Sequence, residues 1–208
     1  MGAALITTLE SKKGSVMKKD LFLVIDMQNV YTEGGEWFCP NIDVATANII
    51  KVIKRVDDSS APADRVIFTK FIASKNPSGT WIKYNEENKA VNESAYANEI
   101  VDRLKPYVES HEVFEKAEYS SLSAKALKDI VSQYVDDGRV VVSGVVADCC
   151  VLATVMGLID MGVKVIYLTD AVAGIDDETE NAVLTVLKGL DPLHVRRMTT
   201  EEYLGNIN

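Results

Sequence analysis

Apolar residues follow two alternating patterns along the chain. Short runs rich in apolar residues, typical of strands buried on both faces, occupy 21–26, 65–71, 112–116, 139–146 and 163–170, and "HVRRM" could form a last strand over 194–198. Between these runs, apolar residues recur every three or four positions over roughly 43–56, 92–108, 121–135, 149–161 and 176–190. This second spacing predicts helices, with Asp43 and Ser121 as candidate N-caps.

The alternation of strands and helices predicts the fold class. Right-handed crossovers between successive strands give a parallel sheet that is covered by helices on both faces. We therefore expect one α/β domain over 17–208, a three-layer α/β/α sandwich around a mostly parallel, six-stranded, Rossmann-like sheet. Residues 1–16 precede the first strand pattern and are treated as an N-terminal extension outside the fold.

One long segment, 72–91, fits neither pattern and is predicted to be irregular. A loop of that length inside a compact domain is usually functional or mobile. It carries Trp81 and Tyr84, which could wall a pocket or could simply pack beneath a solvated loop.

Composition and charge narrow the classes of partner. The 208 residues include 22 Lys and Arg against 31 Asp and Glu, a net charge of −9, which argues against nucleic acid or an anionic membrane. No apolar stretch approaches the ~20 residues needed to cross a bilayer. Three cysteines without a secretion signal predict reduced thiols and a cytoplasmic protein. A small-molecule substrate is the expected partner.

Residues of three chemically complementary types lie at or after the ends of predicted strands. Asp26 ends the first strand, Lys116 ends the third, and the fourth runs out to the pair Cys149 and Cys150. Ligands of open parallel sheets bind beyond the carboxyl ends of the strands, so an acid, an amine and a thiol are expected at one edge. Taken singly, each has an ordinary structural explanation: a helix cap, a surface charge and a small buried residue.

The position of the cysteines suggests nucleophilic chemistry. A helix begins at this point, and free N–H groups together with a nearby ammonium favour a thiolate. Both histidines, His111 and His194, precede strands and are expected at the opposite edge of the sheet. Asp26 is therefore the candidate proton acceptor, and Lys116 would hold negative charge on Asp26 and on the substrate.

Four segments carry a family resemblance: "LFLVIDMQN" (21–29), "VFEKAEYSSL" (113–122), "SGVVADCCVLAT" (143–154) and "YLTDAVAG" (167–174). In this order, over roughly residues 20–200, they resemble the isochorismatase-like cysteine hydrolase superfamily, which includes nicotinamidases and N-carbamoylsarcosine amidases. The resemblance implies that Asp26, Lys116 and Cys150 are the catalytic residues. Spacing alone does not choose Cys150 over Cys149; the resemblance does.

The resemblance also implies details around the nucleophile. It implies a cis peptide between Val145 and Val146 and an oxyanion hole made by the backbone N–H groups of Val146 and Cys150. Cys149 is then expected to pack inertly at the sheet–helix interface. Asp148 is expected to cap the helix or to orient its loop.

The sequence departs from parts of the family. Nicotinamidases carry a metal site with an aspartate and histidines just after strand two, whereas the matching stretch here, "TKFIASKNPSG", has neither. We therefore expect no metal and no cofactor, and nicotinamide is a poor substrate candidate. The isochorismatases proper hydrolyse a vinyl ether without the cysteine, so a cysteine at 150 favours amide, ureido or carbamoyl substrates and an acyl-enzyme.

Several alternatives stay open. A vinyl-ether hydrolase would use Asp26 as an acid, and a non-catalytic relative would only bind a small metabolite or assemble. Related proteins form dimers or tetramers, so a homodimer or homotetramer is expected. Lys70 could meet a substrate carboxylate or could be a surface charge. The aromatic candidates for the substrate pocket, each of which could equally be core, are Tyr31, Trp37, Phe38, Trp81, Tyr84 and Tyr119.

Overall fold

The computed structural model describes residues 19–58 and 65–205. The predicted N-terminal extension, 1–16, lies outside the described residues. Within them, six strands form one sheet with helices against both faces, which confirms the predicted three-layer α/β/α architecture.

All six predicted strands are present in the described part of the chain. They are β1 Lys19–Ile25, β2 Arg65–Phe71, β3 Glu112–Lys116, β4 Gly138–Gly144, β5 Lys164–Val172 and β6 Val195–Met198. Their order is β3-β2-β1-β4-β5-β6, and each neighbouring pair is parallel. The strands β1 to β3 are added towards one edge of the sheet and β4 to β6 towards the other, so the strand order reverses between β1 and β4. Such a reversal leaves a crevice beyond the carboxyl ends of these two strands.

The helices of the described residues vary widely in length. They are α1 Ile42–Asp57, α2 Thr80–Glu87, α3 Lys89–Glu93, α4 Ala95–Asn98, α5 Lys105–Val108, α6 Lys125–Val131, α7 Leu152–Asp160, α8 Asp177–Lys188 and α9 Thr200–Gly205. No helix among the described residues is both long enough and apolar enough to cross a membrane.

The alternating side chains of β1 explain why its apolar run is continuous. Leu21, Leu23 and Ile25 enter one hydrophobic cluster, while Phe22 and Val24 enter the other. All five are at most 1 % exposed, so both faces of the central strand are covered. Successive residues of a strand point to opposite faces, and both faces must be apolar when both are buried.

The segment between β2 and β3 differs from the prediction. Residues 72–91 were expected to be irregular but contain α2 and part of α3, and the helix expected over 92–108 is broken between α4 and α5. The break has a tertiary cause: Val101 donates its N–H to the Met27 carbonyl (2.9 Å), and Ile100 forms an isolated antiparallel bridge with Gln28. Pairing with the loop after β1 therefore overrides the helical preference of this segment.

Two predicted caps are also wrong. Asp43 lies in the first turn of α1, whose N-cap position is Asn41. The helix predicted over 121–135 is divided into a 3₁₀ turn, α6 and a second 3₁₀ turn, and the capping side chain is Ser120. Ser121 is instead buried, and its N–H donates to the Thr154 hydroxyl at 2.9 Å. The short helix α9 was not predicted.

Gly144 brings the end of β4 against the end of β1. Its φ is +109°, and a Cβ at this position would lie 2.0 Å from the Ile25 carbonyl oxygen. Only glycine fits such a close approach of two backbones at that φ. The following residue, Val145, donates its N–H to the same carbonyl at 2.9 Å, so the loop towards Cys150 starts directly beside Asp26.

Candidate active site

Asp26 and Lys116 form a fully buried ion pair at the carboxyl edge of the sheet. The Lys116 Nζ lies 2.6 Å from the Asp26 Oδ2, and both side chains are 0 % exposed. Thr69, on the intervening strand β2, donates its hydroxyl to the other carboxylate oxygen at 2.8 Å. No described residue makes a hydrogen bond of good geometry to Oδ2, so charge attraction to Lys116 is what stabilises that oxygen.

The nucleophile candidate completes this arrangement. Cys150 lies in a π-helical turn, Ala147–Val151, that leads directly into α7. Its Sγ accepts a hydrogen bond from the Lys116 Nζ at 3.4 Å, and Lys116 also donates to the Glu118 carbonyl at 3.0 Å. The structure thus brings together the three residues that the sequence singled out, with one ammonium contacting both the carboxylate and the thiol.

The protonation states differ from the expectation of a resting thiolate. Burial raises the pKa of the Cys150 thiol, and the Asp26 carboxylate raises it further, while Lys116 lowers it by less. Burial and Asp26 therefore outweigh the lowering of the thiol pKa that was predicted from the start of the helix. Burial lowers the pKa of Lys116, but Asp26 and Cys150 together raise it above its ordinary value, so this residue stays an ammonium.

Cys149 and Asp148 fit their expected positions only in part. Cys149 is partly exposed and lines the cavity described below, although it also packs against one hydrophobic cluster. The Asp148 carboxylate makes no capping hydrogen bond and instead accepts from the Cys149 thiol at 3.5 Å. Burial and Asp148 raise the pKa of Cys149 to about 11.

The backbone before Cys150 forms a tight turn. The peptide bond between Val145 and Val146 is cis. The Val146 carbonyl accepts the N–H groups of Cys149 (3.2 Å) and Val151 (3.1 Å), which fixes the turn that carries Cys150. Val146 itself lines the cavity.

A cavity of about 450 Å³ opens above Cys150. Its walls contain five of the predicted aromatic candidates, Tyr31, Trp37, Phe38, Tyr84 and Tyr119. Tyr31 is buried, and the pKa of its phenol is raised by burial and then by Cys150 and Asp26, so it stays a protonated phenol beside these two residues.

The remaining two candidates lie further out. Trp81 packs behind the wall, with ring centroids 5.1 Å from both Tyr84 and Tyr119. Lys70 borders a separate depression on the β3 side of the sheet, together with Glu99 and Lys105. The structure does not bring Lys70 to the catalytic cavity, because the side chains of neighbouring β2 residues point to opposite faces.

Four further residues of the site were missed from the sequence. Thr69 contacts Asp26, while Phe71, Glu36 and Ile175 line the cavity. Phe71 could have been found, because it is the last residue of β2 at the ligand-binding edge. No sequence pattern points to Glu36 or Ile175, since both lie in loops that are brought over the sheet by tertiary structure.

The described side chains offer no cluster of metal ligands. Among residues 19–58 and 65–205, no three His, Cys, Asp or Glu side chains cluster closely enough to hold a metal ion. The residues after β2 bring Ser74 and Lys75, which do not fit the aspartate-and-histidine set of the metal-dependent relatives. The prediction that the protein works without a metal stays a prediction.

Solved structures show that this fold recurs in several hydrolases. An isochorismatase-like hydrolase from Alkaliphilus metalliredigens is 20% identical, with a TM-score of 0.76 over 93% of this chain and 99% of the other. A cysteine hydrolase from Pseudomonas syringae pv. phaseolicola is 20% identical, with a TM-score of 0.75 over 91% and 92%. The pyrazinamidase of Pyrococcus horikoshii, in complex with zinc, is 23% identical, with a TM-score of 0.69 over 87% and 99%.

At these identities the structural matches establish the fold alone, and no curated protein matches the sequence significantly. The family is established separately, because the isochorismatase domain matches residues 20–202, most of the chain. That match spans Asp26, Lys116, Cys150 and the cavity above them. The chain therefore belongs to the isochorismatase family of hydrolases.

Proposed function

We propose that the protein hydrolyses a small amide, ureido or carbamoyl compound through an acyl-enzyme on Cys150. One observation carries this proposal above the others: a buried ammonium contacts both a carboxylate and a thiol on the floor of an aromatic cavity. A nucleophile, a proton acceptor and a fixed positive charge within hydrogen-bond reach are what covalent acyl transfer requires.

In the first half-reaction, the Cys150 sulfur attacks the carbonyl carbon as the thiol proton passes to the Asp26 carboxylate. The raised pKa of the thiol supports this coupling, since a resting neutral thiol must lose its proton during the attack. The carbon–nitrogen bond then breaks, and Asp26 gives the proton to the departing amine. A thioester and a free amine or ammonia result.

In the second half-reaction, water attacks the thioester while Asp26 accepts one of its protons. The carbon–sulfur bond breaks, the thiolate takes the proton back from Asp26, and the carboxylic acid leaves. The net change is amide plus water to acid plus amine. Lys116 remains an ammonium throughout and stabilises whichever of its two neighbours carries negative charge.

Negative charge on the substrate oxygen also needs donors. We assign this role to the backbone N–H groups of Val146 and Cys150, which belong to the turn beneath the cavity. The Tyr31 phenol, buried in the cavity wall and protonated, is a further donor within the same site.

The names of two similar structures support the proposal of an amide substrate. Two of the similar structures are a cysteine hydrolase and a pyrazinamidase, and the latter name denotes action on an amide. The mechanism proposed here uses no metal, because the described side chains do not supply the ligands for one.

The direct test is a screen of small amides and ureido compounds for ammonia release. The wild-type protein should release ammonia from at least one amide, and Cys150→Ala and Asp26→Asn should each remove nearly all of that activity. Cys149→Ala is the matched control for a neighbouring thiol and should keep most of it. If no amide releases ammonia but a vinyl ether is cleaved, and that cleavage survives in Cys150→Ala and not in Asp26→Asn, acid-catalysed vinyl-ether hydrolysis becomes the better explanation.

A further inference from the structure

The lining of the catalytic cavity has an uneven distribution of charge. Two carboxylates, Glu36 and Asp148, line it, and the part of the lining that the structure describes contains no Arg, Lys or His side chain. Lys116 lies below the floor, where it is already engaged by Asp26 and Cys150. A ligand in the cavity therefore meets negative charge at the walls and no free positive charge.

No cationic side chain within residues 19–58 and 65–205 pairs with either carboxylate. Among the described residues, neither Glu36 nor Asp148 forms an ion pair with a Lys, Arg or His side chain. Asp148 accepts only a weak hydrogen bond, from the Cys149 thiol at 3.5 Å. Their charge is thus available to a ligand, and Asp148 lies only two residues before the nucleophile.

The uncharged part of the wall suits a cation as well. Trp37, Phe38, Tyr84 and Tyr119 surround the same space, and Trp37 and Tyr84 are in ring contact with centroids 6.5 Å apart. The faces of aromatic rings attract ammonium groups, most strongly where water is partly excluded. Aromatic rings beside unpaired carboxylates form a suitable environment for an alkylated ammonium.

We propose that the substrate carries a cationic group, an ammonium or a quaternary ammonium, which Glu36, Asp148 and the aromatic wall hold while Cys150 attacks the amide. This inference rests on the proposed amide hydrolysis and adds its substrate class. It makes Glu36 and Asp148 specificity-determining residues. Amides with a carboxylate should be poor substrates, since no lining side chain can pair with that group.

The test uses three amides of matched length. The cationic amide is γ-(trimethylammonio)butyramide, the neutral amide is its isostere with carbon in place of the ammonium nitrogen, and the anionic amide is glutaramate. Three methylene groups separate the charge from the carbonyl, so the intrinsic reactivity of the amides is similar. The wild-type kcat/KM, from ammonia release, should favour the cationic amide over the neutral one by about tenfold or more.

Replacing each carboxylate by its amide shows which residues cause the preference for the cationic substrate. Glu36→Gln and Asp148→Asn should each reduce the ratio of the cationic to the neutral kcat/KM several-fold, mainly through KM. Glu33→Gln is the matched control, because Glu33 is an exposed carboxylate of the same loop that lines a neighbouring depression, which Glu36 also borders, and does not line the catalytic cavity. It should leave the ratio unchanged.

Binding to Cys150→Ala, measured by calorimetry, separates this inference from the proposed function. Suppose that Cys150→Ala binds the cationic amide more tightly than the neutral one, that Glu36→Gln/Cys150→Ala does not, and that the wild type hydrolyses neither amide. This outcome would support the cation site and contradict amide hydrolysis. Turnover with equal or better use of the neutral amide would contradict the cation site and support hydrolysis. Absence of both preference and turnover would overturn both.

Discussion

Replacing Lys116 by methionine should strongly destabilise the protein, and the size of the effect follows from the buried ion pair. Two unit charges 2.6 Å apart attract by about 6 kcal/mol at an effective dielectric constant of about 20. Burying both charges cancels much of that gain, but removing one partner leaves the Asp26 carboxylate uncompensated. We expect Lys116→Met to lower the free energy of unfolding by about 3–5 kcal/mol.

Urea unfolding of four proteins tests this reasoning: the wild type, Lys116→Met, Asp26→Asn and the double variant. The double variant should be more stable than the sum of the single losses predicts, by at least about 2 kcal/mol, because it buries no unpaired charge. Lys83→Met is the control, since that lysine is 79% exposed, and it should change stability by less than about 0.5 kcal/mol. Additive single losses, or a loss below about 1 kcal/mol for Lys116→Met, would refute the ion-pair account.

Three further predictions concern the residues around this pair. Burial and Asp26 raise the pKa of Cys150, so the rate at which iodoacetamide labels this residue should rise about tenfold per pH unit between about pH 6 and 9. Mass spectrometry of the labelled peptide gives the rate, and a plateau below about pH 8 would contradict the raised pKa. Asp26→Asn removes the carboxylate that raises the pKa of Cys150, so iodoacetamide should label Cys150 faster in this variant than in the wild type at neutral pH, and slower labelling would argue against the assigned causes. Gly144→Ala should lower the free energy of unfolding, measured with urea, by about 3 kcal/mol or more, since the added Cβ would clash with the Ile25 backbone. A decrease below about 1 kcal/mol would show that the two strands can separate there.

The strands were predictable because burial on both faces leaves a direct trace in the sequence. Segments such as "LFLVI" contain no polar residue because both faces of the strand are buried. The helices between successive strands then predict parallel pairing. Since the carboxyl ends of parallel strands share one edge, Asp26, Lys116 and the pair Cys149 and Cys150 could be placed together from the sequence. The choice of Cys150 over Cys149 needed the family resemblance.

The misses lie where tertiary contacts decide the outcome. The segment 92–108 has a helical pattern, but its centre pairs with the loop after β1. The raised pKa of Cys150 could not be predicted, because the sequence reveals the start of the helix but not how deeply the thiol is buried. Glu36 lies in a loop whose path over the cavity depends on aromatic packing around Trp37, which no local pattern reports.

The acyl-enzyme on Cys150 is the central claim, and mass spectrometry of acid-quenched turnover mixtures tests it most directly. With an amide that releases ammonia, the peptide containing Cys149 and Cys150 should gain the mass of the acyl group. The gain should persist in Cys149→Ala and be absent in Cys150→Ala. An adduct retained in Cys150→Ala, or ammonia release by Cys150→Ala at the wild-type rate, would contradict the account.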